Sequence, residues 1–511
     1  MSTARRKFRA NADGMTLSYF NPLVTTTADL RRMLDSQQIT SVQIVEQYLE
    51  QIDRYEPILN ALASIAPRDS LRRIAESLDD ERRGGRVRSP LHGIPIVLKD
   101  AFITASDLGM PTCAGAAVFA GAKASKNGAI VQRLVDAGLI ILAKGNMTEY
   151  AGMKTEEMMP GWSAYGGQTI SPYVGPIKRD EKILGHSAPG GSSSGPAVAV
   201  AAGFSPLAMG TETIGSIVTP SVRAALYALK PTHGLQEVAG MYRMTDFFDV
   251  PGPMGKCTAD ITSLSSVLLG RPFDNADVGK WEGLAVASLD PKVWQLTTAM
   301  CDQIDDTEVQ MIDEYKAAML RIGQLGCTVK YPVDILDLSE LNIDGKDAIM
   351  PIAFWDFKHI GIPTFIEGFS DASVASLEEI IRFNEQNQSL AMPEPFTKQD
   401  QLLRALDIAG TPDEIAQLKR RLRETGKSII NRVLDAENVN CIAAPADSAI
   451  CIYTAAAGYP HITIPLGKLN YNGRPFGICV LARENDEAVL LRFMAAYESM
   501  AAPRPVPSIV F

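Results

Sequence analysis

Residues 92–100 read His-Gly-Ile-Pro-Ile-Val-Leu-Lys-Asp, with five apolar positions in a row ahead of Lys99. A short apolar run without alternation, rich in β-branched side chains, is the pattern of a central strand covered on both faces. Lys99 then stands at the C-terminal end of that strand. Working outward, the sequence predicts a helix over 127–137, a strand over 139–143 and a small-residue helix over 197–202. Further strands are expected at 284–287, 441–444, 461–465 and 476–481. Helix starts are marked by Thr40 with Gln43, Thr307 with Gln310, Ser376 with Glu379, and Thr411-Pro412 with Glu414. After Thr40, Val42, Val45, Tyr48, Leu49, Ile52 and Tyr55 recur at helical spacing, and the helix is expected to end before Pro57. Strands alternating with helices predict an α/β chain with helices on both faces of a sheet.

At 511 residues and 46% hydrophobic side chains, the chain is long enough to bury a large core. Its net charge of −10 and pI near 5.2 argue against a nucleic-acid groove or an anionic membrane surface as partner. Seven cysteines without a Cys-x-x-Cys pair suggest no disulfide framework and no metal site, and suit a reducing compartment. The basic residues 1–14 lack the apolar core of a secretory signal. The longest apolar stretch, 197–210, is interrupted by Ser205 and Pro206 and is shorter than the roughly 18 residues a membrane span needs. These features predict a cytoplasmic protein with a flexible extension over residues 1–26 and one domain over 27–511.

Two serine loops carry the chemistry: Gly-Gly-Ser-Ser-Ser-Gly-Pro at 190–196 and Gly-Thr-Glu-Thr-Ile-Gly-Ser-Ile-Val-Thr-Pro at 210–220. With residues 91–100, 143–153, 228–234, 250–261, 457–467 and 473–482 they form an ordered set that resembles the amidase signature family. The wording at 161–173 and 185–195 is most similar to fungal members. The resemblance implies an α/β/α sandwich around a large mixed, twisted β-sheet. It implies an amidase that cleaves a carboxamide bond, with esters as further substrates, through an acyl-serine intermediate and without a cofactor. Ser216 would be the nucleophile, Ser192 the proton carrier and neutral Lys99 the base. The backbone N–H groups of Thr213, Ile214, Gly215 and Ser216 would form the oxyanion hole, with Gly191 and Ser193 in support. The bond between Gly191 and Ser192 would be cis.

Amide cleavage explains the need for these parts: the nucleophile must be activated, the oxyanion stabilised and the departing amine protonated. A lysine serves as base near neutrality when burial lowers it from its ordinary value of about 10.4. Asp100 would oppose that, unless strand alternation turns it to the other face. Against the commonest family pattern, Ser194, Pro196, Ile214 and Val218 are departures. They put oxyanion-hole geometry and substrate size in question, and Arg223 is the residue positioned to replace a missing guanidinium. Residues 154–189 and 333–440 are the expected pocket segments, although Met350, Phe354, Trp355, Phe357 and Phe365 fit plain core better than a pocket wall.

Other readings use the same residues. Residues 191–195 also match the Gly-x-Ser-x-Gly elbow with Ser193 at its centre, which needs a histidine such as His233, His359 or His461. His92 and His186 read as hydrogen-bonding loop residues. The alternatives in function are a partner-dependent subunit of the amidotransferase type, an acyl-transfer enzyme with the same triad and a non-catalytic scaffold. A small-molecule amide is the expected partner, and a homodimer the default assembly.

Overall fold

A computed structural model of the chain describes residues 18–273 and 279–509. In chain order its strands are β1 (Leu62–Ile65), β2 (Pro95–Lys99), β3 (Ile140–Gly145), β4 (Trp162–Ser163), β5 (Gly167–Gln168), β6 (Leu207–Glu212), β7 (Tyr227–Lys230), β8 (Val250–Gly255), β9 (Ala285–Leu289), β10 (Thr328–Val333), β11 (Cys441–Pro445), β12 (His461–Lys468) and β13 (Pro475–Ala482). Strands β4 and β5 make a small hairpin, and the other eleven share one sheet in the order β1-β3-β2-β6-β8-β7-β12-β13-β11-β9-β10. β2 runs parallel to both its neighbours, the pairs from β6 across to β11 are antiparallel, and β11, β9 and β10 are parallel again.

Side-chain alternation places helices on both faces. Cys479 and Leu481 of β13 pack in the cluster that holds Ile430 and Leu434 of the helix Pro412–Ala436 and Tyr453 of the helix Ile450–Ala457. Ile478, Val480 and Ala482 turn the other way, toward Met319 and Ile322 of the helix Asp305–Gln324 and Phe493 and Met494 of the helix Glu487–Met500. The α/β/α sandwich around a mixed sheet is therefore what the chain forms.

The capping boxes at Thr40 and Thr411 are present, and Ser376 caps its helix by accepting from Glu379 N–H. Two helix boundaries differ from expectation. The helix Ser41–Leu59 runs past Pro57, which lies in its last turn, where the carbonyl it leaves free belongs to the exposed Asp53 and can be solvated. The helix Asp305–Gln324 begins ahead of Thr307 with no side-chain cap; Asp305, Asp306 and Glu308 instead place negative charge on its N-terminal turn.

Phe354, Phe357 and Phe365 are buried in a cluster with Phe119, Tyr150 and Tyr242, so they are core, while Met350 is 39% exposed. Residues 1–17 of the expected extension lie outside the described residues. Residues 18–26 pack on the body: Phe20 meets the Tyr48 ring at 5.3 Å, and the Lys256 ammonium donates to the carbonyls of Pro22 and Thr25. The packed body thus begins before residue 27.

Candidate active site

β2 ends at Lys99, and its parallel neighbour β6 brings Thr211 alongside: Leu98 is in register with Met209. The Lys99 side chain is fully buried, and its Nζ lies 2.6 Å from Ser192 Oγ, 2.8 Å from Thr211 Oγ1 and 3.2 Å from the Thr211 carbonyl. Three partners suit both protonation states. A neutral amine accepts from Ser192 and donates its two hydrogens to Thr211, whereas an ammonium donates to all three. Burial lowers the Lys99 pKa to about 7, while the carboxylates of Asp249 and Glu212 pull upward against it.

Asp100 does not contribute to that pull. Its carboxylate faces away, accepting from the N–H groups of Cys113 and Gly115 and lying 3.6 Å from the buried Lys144. The alternation of side chains along β2 thus separates the two neighbours, as expected.

The first serine loop leads from Gly190 into the helix Ser194–Ala201. Ser192 presents its hydroxyl to Lys99 and its N–H to Ser216 Oγ, 3.4 Å away, which links the two loops directly. Ser193 N–H donates to the Ser216 carbonyl at 3.3 Å. The Ser193 hydroxyl does not touch Lys99. It donates to the Thr211 carbonyl at 3.0 Å and accepts from Thr211 N–H at 3.2 Å, so it steadies the strand that holds the amine. The cis peptide bonds among the described residues are Tyr331–Pro332 and Glu394–Pro395; the Gly191–Ser192 bond is not one of them, and the turn there is made by Gly191 at φ 50°.

The second loop, residues 213–216, is pinned at both ends by one residue. Glu212 is held in β6 by its pairing with Val250, and its Oε2 accepts from Ile217 N–H at 2.6 Å and Val218 N–H at 3.0 Å. Between those anchors the N–H groups of Thr213, Ile214, Gly215 and Ser216 find no protein acceptor among the described residues. Gly215 takes φ 77°, a region that costs glycine little. Ile214 keeps an ordinary φ, and its side chain packs against the cluster containing Val218 and Phe247, so the branched residue is absorbed by core without backbone strain. Glu212 is fully buried, and burial alone would raise its pKa. His461, Lys230 and the N–H of Val218 override that and hold it down at about 2.

The loop before the first serines is clamped by Arg223. Its buried guanidinium donates to the carbonyls of Leu184, Gly185 and Ala188 and pairs with Asp447, which Arg474 also grips. The two guanidinium groups keep the Asp447 carboxyl well below the usual carboxylate range despite its burial.

Thr211 and Asp249 were not singled out from sequence, because their relation to Lys99 depends on which strand lies beside β2. Asp249 is buried, which raises its pKa to about 6, and it accepts from Met244 N–H at 2.7 Å. Ser193 is no nucleophile elbow, since its hydroxyl is spent on Thr211 and no histidine is placed against it. His233 and His186 bond backbone carbonyls, as does His92, and no cluster among the described residues could hold a metal ion. No helix among them is long and apolar enough to cross a membrane.

Comparison with known proteins bears on the family and the fold. The family model described as Amidase matches residues 43–309. A putative amidase of Schizosaccharomyces pombe is 27% identical over 527 residues, covering 94% of this chain and 86% of its own. A glutamyl-tRNA(Gln) amidotransferase chain of Chloroflexus aurantiacus is 28% identical over 514 residues, covering 93% of this chain and 96% of its own. Among solved structures, the native peptide amidase from Stenotrophomonas maltophilia superposes with a TM-score of 0.82 at 28% identity, covering 95% of this chain and 99% of that one.

Proposed function

This chain belongs to the amidase family, and we propose that it hydrolyses amide carbon–nitrogen bonds with Ser216 as nucleophile, Ser192 as proton carrier and Lys99 as base. The observation that supports the reading is the placement of Ser192 between the two groups: its hydroxyl lies 2.6 Å from the buried Lys99 Nζ, and its backbone N–H donates to Ser216 Oγ at 3.4 Å. As Ser216 Oγ attacks the carbonyl carbon, its proton passes to Ser192, and the Ser192 proton passes to the Lys99 lone pair. The oxyanion would be received by N–H groups of residues 213–216, which have no protein acceptor among the described residues. The ammonium then returns its proton through Ser192 to the departing nitrogen, leaving an acyl-serine. Water repeats the sequence and frees the carboxylic acid.

The substrate is a small-molecule amide. Its acyl side would meet the segments 154–189 and 333–440, which join where the Lys154 ammonium binds both Glu149 and the Ala391 carbonyl. Mass spectrometry of enzyme quenched during turnover of a panel of acyl amides tests the reading. An acyl adduct on the peptide holding Ser216, absent in Ser216→Ala, is expected; an adduct on another serine overturns it.

The similarity to the glutamyl-tRNA(Gln) amidotransferase chains supports a second reading, in which the same site works inside a complex. Turnover of simple amides by the isolated chain argues against it, and dependence on a partner chain argues for it. Product analysis with an added amine separates hydrolysis from acyl transfer.

A further inference from the structure

We propose that His461 is a positioning residue for the nucleophile loop, acting through Glu212. The inference rests on the proposed role of Ser216 and goes one layer further from the substrate. His461 opens β12, is fully buried, and brings its Nε2 to 3.0 Å from Glu212 Oε1. Neither atom has an aligned hydrogen-bond partner among the described residues, and the two face each other in a close polar contact rather than an aligned hydrogen bond.

The carboxylate sets which ring nitrogen carries hydrogen. Glu212 is held ionised, and a ring nitrogen 3.0 Å from its Oε1 is the one that carries hydrogen. Burial lowers the His461 pKa, which favours the neutral ring. The other ring nitrogen, Nδ1, lies 2.8 Å from the Thr454 hydroxyl. That hydroxyl donates to the Cys451 carbonyl on its own helix at 2.9 Å, and so ties the ring to the helix Ile450–Ala457.

The consequence falls on the catalytic loop. Glu212 closes residues 213–216 into a ring by gripping the next two N–H groups with Oε2, and the orientation of its carboxylate is set at Oε1. The helix bearing Thr454 also carries Cys451, whose Sγ lies against Gly215: a Cβ on that glycine would meet it at 3.2 Å. His461 thereby locks the carboxylate to the element that backs the oxyanion loop. Without it, a buried carboxylate oxygen loses its partner, and the grip on Ile217 and Val218 relaxes together with the free N–H groups.

The test compares His461→Ala, His461→Gln and His461→Asn. A glutamine amide reaches the place of Nε2 and can donate to Glu212, whereas an asparagine amide reaches only the place of Nδ1. Turnover of an accepted amide and the rate of fluorophosphonate labelling are measured for each, alongside thermal melting. His461→Ala is expected to lower kcat and labelling rate about 10–100-fold, with KM within about twofold. His461→Gln is expected to recover most of the loss and His461→Asn little of it. If the alanine variant does not fold, the glutamine and asparagine pair still decides. Equal kcat for those two, or losses that merely track melting temperature, would overturn the positioning role, as would an alanine variant with unchanged kcat. Ser216→Ala run in parallel separates the layers: persistent labelling in that variant defeats the reading of the site, whereas its loss beside a fully active His461→Ala defeats only the role of His461.

Discussion

Replacing Thr211 by valine removes one oxygen from the shell around Lys99 and changes the volume little. Lys99 Nζ keeps Ser192 Oγ at 2.6 Å and the Thr211 carbonyl at 3.2 Å but loses Thr211 Oγ1 at 2.8 Å. A hydrogen bond to a charged group is worth about 1.5–3 kcal/mol and a neutral one about 0.5–1.5 kcal/mol, so the ammonium loses roughly 1 kcal/mol more than the amine. At about 1.4 kcal/mol per pH unit, the Lys99 pKa moves down by roughly 0.7 from its value near 7. In the proposed mechanism the amine is neutral, so activity rises with pH through this pKa, and lowering it moves the acid limb of kcat/KM toward lower pH. The plateau rate also drops, because a less basic, less firmly held amine takes the proton less well. A kcat/KM profile from pH 5 to 9 on wild type and Thr211→Val reads both effects. An acid limb that stays in place, or moves upward, refutes the account of what holds Lys99.

Lys99→Met should be inactive yet melt higher than wild type at pH 7. The folded pKa of about 7 lies below the ordinary lysine value of 10.5, so the unfolded chain binds the proton more tightly; the penalty, at most about 5 kcal/mol, is full below pH 7 and fades as pH rises toward 10.5. The difference in melting temperature should narrow over that range. Asp447→Ala leaves the Arg223 and Arg474 guanidinium groups buried without their shared carboxylate and should destabilise by about 3–5 kcal/mol in denaturant titration. Gly195→Ala would put a Cβ 2.2 Å from the Asn146 carbonyl and 2.4 Å from that of Ala61. The helix Ser194–Ala201 must then lift from β3, so both melting temperature and the labelling rate of Ser216 should fall.

The parts of the site that were legible in the sequence were those whose chemistry is local. Lys99 was readable because five apolar residues ahead of it announce a strand buried on both faces, and β2 is flanked by parallel strands on each side. The two serine loops were readable by their glycines and by resemblance. Strand β8 was not, since Val-Pro-Gly-Pro-Met-Gly is written in turn residues. It is tolerated inside the sheet because its pairing with β7 is confined to Met254 and Gly255, which leaves Pro251 and Pro253 with partners on β6 alone. Thr211 stayed hidden for a related reason: its value lies in the pairing of β6 with β2, which no local pattern announces. His461 was visible only as a candidate for a different hydrolase, and its contact with Glu212 spans 249 positions of sequence.

The claim on which the mechanism depends is that a buried, neutral Lys99 draws the proton that makes Ser216 reactive. The rate of fluorophosphonate attachment to Ser216, located by peptide mass spectrometry and followed from pH 5 to 9, measures this most directly. The account predicts a rise through an apparent pKa near 7 in wild type, and slow labelling without that rise in Lys99→Met. Equal rates and the same pH profile in the two proteins, or attachment at a different serine, would contradict it.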